Sequence, residues 1–594
     1  MKRFDSENLW GSIEKLHIQI SDILCSALIS WLFMNIITGS FANSDDINHT
    51  RDVSIPFSVL IFALLFAASV ILTIGFRFYY RVAVSFALIF TAAVYSCAER
   101  NSLLSVGLAV LILLLLYAGR GTIWQRLWDK LRICGISPRH AAAAYIIFGI
   151  LLAIFIGFVT VYRYLAFKTS TFDFGIFTQM FESMKNTGSM TTTVERNEAI
   201  SHFDVHISPI YYLLLPFYCL FPSPITLQIA QAVIVAASLI PLYLLCRHFG
   251  LHPIAVILTG AAFIMYPALS GSCFYDIHEN CFLTVLLLTL IWCVETGHSK
   301  SAVITALALW CVKEDAGIYT AFLGLYFLAC GRHKKAGWLI FIWSCLAFVI
   351  STSLLSVSEN EVMSHRFSNL VTSEDSDNLY GVIKTVWTHA AYLISECITE
   401  EKLLYLALML LPFAPVIFSK KDPTSFILMG PMILLNVLPD YVYMHTINYQ
   451  YNFGNTALLF YFFILAVKDK DSRDLLRDSS AAAAVCLVLF CGTKLYRVEV
   501  VSQYYDREEI YEEMAEALDS IPKDASVTAS GFLTSHLYDH EELYSTTSKK
   551  DSDYLALDLT RDETDAEKSM LESGKYELWY MREDVIAIYK YAGD

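Results

Sequence analysis

Apolar runs near the ~20 residues that a helix needs to cross a bilayer recur along this chain. They fall at 18–37, 54–76, 82–97, 103–119, 141–162, 225–246, 253–269, 282–294, 338–355, 403–418, 425–438, 456–467 and 481–495. A further run, 301–330, is interrupted by Lys313-Glu314-Asp315, which divides it into two short helices. The pattern predicts an all-α polytopic protein of about fifteen spans. One more apolar run, 207–221, begins at Ser208-Pro209. Its short length and its start suit a helix lying at the membrane surface, since serine caps helices and proline is tolerated at the first helical position.

The pattern changes after residue 496. Ile510, Met514 and Leu518 keep helical spacing, whereas 526–529, 554–559, 576–581 and 585–591 alternate like strands, the last two joined by a turn at Glu583-Asp584. These elements predict a small soluble α/β domain. It contains no glycine-rich phosphate loop, so nucleotide binding there has little support.

Composition agrees with a membrane protein: 594 residues, 56% hydrophobic, 17% charged, mean hydropathy +0.50. The net charge of -15 comes from acids concentrated after 496, a solvated face and not a nucleic-acid site. Fourteen cysteines are scattered with no CxxC pair and read as small core residues. Residues 1–19 carry Lys2, Arg3 and Lys15 and lead into an apolar run without a small-residue cleavage site, which predicts a retained first helix.

Basic residues set the orientation. They cluster at Arg120, Arg126, Lys130, Arg132 and Arg139, and again at Arg77/Arg81, Arg247-His248, His298-Ser299-Lys300, Arg332-His333-Lys334-Lys335, Lys420-Lys421 and Lys468/Lys470/Arg473/Arg477. All are cytoplasmic only if 207–221 does not cross. The segments 163–206, 270–280, 313–315, 356–380, 439–452 and everything after 496 then face outward. The chain thus divides into an N-terminal four-helix membrane segment (1–119), a basic cytoplasmic connection (120–140), a membrane module (141–496) with an outer loop at 163–224, and an extracytoplasmic α/β domain (497–594).

The outer connections hold the candidate chemistry. Asp173, in Thr171-Phe172-Asp173-Phe174-Gly175, is a costly carboxylate among aromatics at a membrane surface. If 202–206 is extended, His202, Asp204 and His206 share one face, a ligand set for a divalent cation or for phosphate and sugar hydroxyls, or simply groups suited to a wet interface. Tyr275, Asp276, His278 and Glu279 precede a helix, where the acids are either caps or members of a functional cluster. Lys313, Glu314 and Asp315 between apolar helices form either a lipid-phosphate site or an internal ion pair. In the aromatic stretch 440–451, His445 and Gln450 stand out from tyrosines typical of an interface belt.

Phe172-Asp173-Phe174-Gly175-Ile176-Phe177, His206-Ile207-Ser208-Pro209, Phe221-Pro222-Ser223-Pro224, Tyr275-Asp276-Ile277-His278-Glu279 and Val312-Lys313-Glu314-Asp315 resemble an uncharacterised family of bacterial polytopic membrane proteins, a domain of unknown function. That family is similar to the GT-C glycosyltransferases, which include protein O-mannosyltransferases and lipid A aminoarabinose transferases. The resemblance spans 141–591 and leaves the first four helices as an addition. It implies a GT-C-like enzyme in the bacterial plasma membrane. The donor would be a polyprenyl-phosphate-linked sugar, and the acceptor an envelope glycan, lipid or protein on the outer face. An acid in the first outer loop is also implied, and Asp173 matches it by position. The match departs from the mannosyltransferases, where a second acid follows directly; Phe174 stands there.

Under this resemblance Asp173 deprotonates an acceptor hydroxyl with inversion, an aromatic surround raises its pKa, and Lys313 or His278 serves the leaving phosphate. Two other classes remain beside it: a transporter or flippase of lipid-linked substrates, and a non-catalytic envelope assembly protein. Convergence of the outer loops on one cavity separates the first reading from these two.

Overall fold

The computed structural model describes residues 20–38, 54–75, 77–118, 121–133, 135–355, 364–371, 379–419 and 422–593. The segment 1–19, Arg120, Lys420, Lys421 and, within the predicted connection 356–380, residues 356–363 and 372–378 lie outside these. Among the described residues, seven helical segments are long and apolar enough to cross a bilayer: Ile55–Leu72, Pro138–Leu165, Pro224–His248, Pro253–Gly271, Lys334–Leu355, Glu400–Ser419 and Ser472–Thr493. Shorter apolar helices, among them Cys281–Thr296, Ser299–Trp310 and Ala316–Ala329, occupy the other runs. The expected count of about fifteen thus includes helices shorter than the ~20 residues of a full span.

Helix Phe453–Val467 is the centre of the bundle. All of its residues are buried, as a helix apolar on every side requires. Helix Ser472–Thr493 packs on Arg77–Glu99, Ser102–Ala118 and Pro253–Ile264, tying the N-terminal helices to the rest. The basic connection contains an amphipathic helix, Gly121–Ile133, with Trp124 and Trp128 buried and Lys130 and Arg132 in its last turn.

The run 207–221 does not form one helix. It is a 3-10 segment, Pro209–Leu213, followed by a six-residue helix, Leu215–Leu220, and Pro216 falls in the first turn of the second piece. Ile210, Tyr211 and Tyr218 face the protein, while Leu213, Phe217, Leu220 and Phe221 are exposed, the two-sided character of an interfacial segment. Ser208 makes no side-chain cap; the Ile210 N–H donates instead to the Cys311 carbonyl.

The C-terminal region forms a five-stranded sheet in the order β4-β3-β5-β7-β6, with β3 Val527–Ala529, β4 Leu543–Ser545, β5 Tyr554–Asp558, β6 Tyr576–Arg582 and β7 Ile586–Tyr591. Strands β3, β4 and β5 are parallel, while β7 runs antiparallel to both β5 and β6. Asp584, at positive φ, makes the β6–β7 turn. β1 (Thr191–Thr192) and β2 (Ile200–Ser201) form a separate small ladder in the first outer loop. Strand β4 and helix Asp565–Glu572 lack the alternation or length that would have marked them in the sequence.

This domain is docked on the first outer loop. Thr171 Oγ1 donates to the Gly531 carbonyl (3.0 Å), Thr534 Oγ1 lies 3.1 Å from Thr171 Oγ1, and Thr169 and Ser535 share a hydroxyl contact of 2.9 Å. His536 stacks on Tyr164 and Phe167, and Thr193 bonds to both ends of the Leu543 peptide unit.

Candidate functional site

Asp173 adopts φ 71° and ψ -76°, close to a γ-turn and a costly conformation for a residue with a Cβ. Three features hold the turn. The Gly175 N–H reaches back to the Ser170 carbonyl (3.1 Å), Phe174 is fully buried, and Thr171 is tied to the sheet domain. Gly175 itself is pressed so closely on the domain that a Cβ there would meet Thr534 Oγ1 at 2.6 Å. Phe172 points outward and is exposed, so the aromatic surround of the carboxylate is one-sided.

The turn delivers the Asp173 carboxylate to His278, with Oδ2 3.2 Å from Nε2. The His278 side chain is 2% exposed and that of Asp173 31%, so a buried imidazole faces a partly exposed carboxylate. His278 Nδ1 faces the Asp276 main-chain carbonyl at 3.2 Å. A carbonyl only accepts, so Nδ1 carries a proton, and the Asp173 carboxylate facing Nε2 favours the doubly protonated ring. Burial works against that charge, but Asp173 outweighs it and raises the His278 pKa above its ordinary value. Burial likewise opposes ionisation of Asp173, yet His278, with Lys313 farther off, holds its pKa below the ordinary carboxylate value. The expectation of a raised pKa at Asp173 is therefore corrected: a neighbouring cation outweighs the aromatic surround.

Glu279 accepts from Lys313 Nζ (2.6 Å) and from the Tyr211 hydroxyl (2.8 Å). Lys313 is 2% exposed. Burial alone would disfavour both charges, but each sustains the other: Glu279 is depressed well below and Lys313 raised above its usual pKa. Lys313 therefore forms an internal ion pair, with Glu279 and not with its chain neighbours, and an incoming lipid phosphate would have to displace that carboxylate. Glu314 Oε1 meets His206 Nδ1 at 3.0 Å. Burial pushes the Asp315 carboxyl up to about 6.

Neither acid before helix Cys281–Thr296 caps it. Asp276 is fully buried, accepts from Gln228 Nε2 (2.9 Å) and lies 3.9 Å from an Arg163 guanidinium nitrogen. Burial raises its pKa to about 7 despite these partners.

The segment 202–206 is not extended. His202–Asp204 is a 3-10 turn, so the period of two does not apply. His202 Nδ1 pairs with Glu195 (3.2 Å), His206 with Glu314, and the Asp204 carboxylate accepts the Ser201 N–H (3.2 Å). The three side chains are thus committed to different partners. Among the described residues no group of three or more His, Cys, Asp or Glu side chains is placed to hold a metal ion, so the residues do not fit a divalent cation.

Opposite Asp173 stands a tyrosine wall. Tyr275 packs against His278 and Tyr449, Tyr449 against Tyr443, and Tyr443 against Tyr441. Inside the bundle, Asn436 donates to the Met444 carbonyl (2.7 Å) and Asn452 to the Thr446 carbonyl (2.8 Å), which fixes this loop. Arg366 stands over the Tyr441 and Tyr451 rings at 5.8 and 5.2 Å. It makes no ion pair among the described residues, and its Nε is buried without a partner. Gln450 is buried in the same loop, whereas His445 belongs to another neighbourhood, with Lys402, Asp440 and Glu401 as its charged neighbours.

The outer loops therefore converge: Asp173, Tyr275, Asp276, His278, Glu279 and Lys313 form one cluster, Glu314 and His206 flank it, and His202 adjoins it through Phe177, whose ring packs on both His202 and His278. Arg163, Glu195, Tyr211, Gln228 and Arg366 escaped the sequence reading. For Arg163 and Arg366 a signal existed, since both are basic residues on the side where the topology places few.

No curated protein matches the sequence significantly. Among solved structures, the chain is similar to ArnT from Cupriavidus metallidurans, with a TM-score of 0.45 and 12% identity. The similarity to the form bound to undecaprenyl phosphate covers 75% of this chain and 98% of that one. For the apo form the TM-score and identity are the same, and the coverage is 76% and 98%. The sequence profile of a family described as "Predicted membrane protein (DUF2079)" matches residues 163–582.

Proposed function

The chain belongs to the DUF2079 family of predicted membrane proteins, and on that premise we propose that it is an integral-membrane glycosyltransferase. It takes a sugar from a polyprenyl-phosphate donor and transfers it, with inversion, to an envelope glycan, lipid or protein on the outer face of the plasma membrane. The observation that carries this reading is the Asp173–His278 pair, a partly exposed carboxylate on a strained turn beside a buried imidazole.

The acceptor O–H gives its proton to Asp173 as the oxygen bonds to the anomeric carbon. The bond from that carbon to the phosphate oxygen breaks, and the electron pair leaves with polyprenyl phosphate, which gains one negative charge. In an oxocarbenium-like transition state the acceptor becomes acidic late, so a carboxylate held ionised suffices as base. The leaving phosphate needs charge stabilisation more than a proton. Arg366, which has an aromatic platform and feels Glu314 and Asp315 without a close ion pair among the described residues, suits it better than Lys313, which Glu279 neutralises.

Orphaned buried polar atoms concentrate around the same residues, at Asp276 Oδ2, Glu314 Oε2, Asp315 Oδ1 and Arg366 Nε. Such groups cost stability and point to a polar cluster retained for a reason other than folding. Transport of a lipid-linked substrate would call for polar groups along the depth of the bundle; here the cluster is gathered at one end of the helices.

The test is transfer by the purified chain from a polyprenyl-phosphate sugar, with comparative glycan and lipid analysis of envelopes supplying donor and acceptor. Unchanged envelopes in cells lacking the protein, together with full activity of Asp173→Asn, would overturn the assignment.

A further inference from the structure

At the end of the helices away from Asp173 lies a cavity of about 980 Å³. Helix Cys281–Thr296 starts at the site and runs away from it, Ser299–Trp310 returns, Ala316–Ala329 leaves again and Lys334–Leu355 returns. The second of these packs on the first and the fourth on the third, which leaves a gap between Ser299–Trp310 and Lys334–Leu355. The cavity fills this gap.

Its walls are apolar, with Leu290, Ala302 and Leu339 among them, and its inner end is closed by Trp310 and Trp343. Trp310 is pinned there by a bond from its Nε1 to Thr320 Oγ1 (3.3 Å). The mouth is polar and basic, formed by Ser299, His333, Lys334 and Lys335 at the starts of two helices. No carboxylate lines it. The nearby acid, Glu295, is already engaged by Arg332 and His333 at 3.3 Å each and by the Tyr461 hydroxyl. Neither Lys334 nor Lys335 makes an ion pair among the described residues.

The dimensions decide what fits. At the rise of an α-helix, Lys334 to Trp343 is about 14 Å and Ser299 to Trp310 about 17 Å. Half of a ~30 Å hydrocarbon core is about 15 Å, the reach of one leaflet's acyl chain. The cavity is therefore a slot one monolayer deep, apolar along its length and cationic at the headgroup level.

We propose that this slot is a binding site for an anionic glycerophospholipid of the leaflet opposite the catalytic cluster. One acyl chain lies between Ser299–Trp310 and Lys334–Leu355, and the phosphate rests on Lys334 and Lys335. Lys313 follows the far end of Ser299–Trp310, one wall of the slot, so an occupied slot braces the helix beyond which Lys313 reaches Glu279. The proposal is independent of the reaction assigned above.

The test uses the full chain, purified in detergent, with phosphatidylglycerol or phosphatidylcholine of identical acyl chains. Retained lipid is counted by native mass spectrometry, and stabilisation is followed by thermal shift. Phosphatidylglycerol is expected to be retained and to stabilise preferentially. Replacing both exposed lysines, Lys334→Gln with Lys335→Gln, should leave the lipid-free melting temperature unchanged and weaken phosphatidylglycerol binding about 30-fold, towards the phosphatidylcholine level. Ala302→Phe, which fills the slot and keeps the lysines, should lose the bound lipid. Equal binding of the two lipids by the unmodified chain, an unchanged preference in the double variant, or full retention by Ala302→Phe would each overturn the proposal.

Discussion

Asp173 Oδ2 lies 3.2 Å from His278 Nε2, and the two residues reach each other from separate outer connections. The carboxylate is thereby held ionised and partly exposed, while its counter-charge stays buried.

Asp173→Asn should lower transfer by ~10²–10⁴ while leaving the protein folded. The variant keeps the side-chain shape and loses the base. Single-turnover assays in membranes, with size-exclusion and melting profiles as the folding control, check this.

The pH dependence follows from two shifts of opposite sign. His278 is raised above 6.5 in the folded protein, so its contribution to the pair is complete below 6.5 and is lost as pH rises through the raised value. Asp173 is depressed below 3.8, so its contribution is present above 3.8 and disappears as pH falls through the lowered value. Activity should therefore fall on an alkaline limb set by His278. In a pH profile of kcat/KM, His278→Gln should abolish that limb.

The Lys313–Glu279 pair is structural, and a cycle of variants should say so. Lys313→Met leaves a buried carboxylate alone and should cost about 3–5 kcal/mol. Adding Glu279→Gln should recover most of the loss. Denaturant unfolding in micelles measures both.

Arg366→Lys retains the charge but not the planar guanidinium that spans two tyrosine rings. If Arg366 holds the donor phosphate, Arg366→Lys should raise the donor KM, and Arg366→Ala should raise it further and lower kcat as well. The melting temperature should change little for Arg366→Lys, which keeps the charge, and fall for Arg366→Ala, which gives up both ring contacts.

Gly175→Ala should loosen the domain from the Asp173 turn, since its Cβ would meet Thr534 Oγ1 at 2.6 Å. Thr534→Ala removes that atom and leaves the Cβ at 3.4 Å, an ordinary contact, so the double variant should recover. Limited proteolysis near residue 531 reads the docking directly.

Much of the fold was legible because membrane helices and strands write their periods into the sequence. The helix at 508–518 and the strands at 526–529, 554–559, 576–581 and 585–591 all appear, each within a residue or two. Strand β4 is three residues long, too short for alternation to register. At the site, Asp173, Asp276, His278, Glu279 and Lys313 could be singled out as charges at span ends, but their pairing could not. That Lys313 meets Glu279, or that His202 meets Glu195, depends on how loops fold over one another, which no local pattern records. The reading of 202–206 failed for a related reason: alternation over so few residues does not distinguish a strand from a 3-10 turn that is closed by Ser201 and Asp204.

The seat of the Asp173 turn has a consequence for biosynthesis. Thr171 leans on Gly531 and Thr534, partners 360 and 363 positions downstream. A ribosome making this chain inserts the helices first and emits those partners near the end. The strained backbone at Asp173 then lacks its tie to the sheet domain while the bundle assembles, and keeps only the Gly175–Ser170 bond and the packing of Phe174. The turn at Asp173 therefore closes only after the sheet domain has folded and come to rest on the loop, which makes the docking of that domain the step that completes the candidate site.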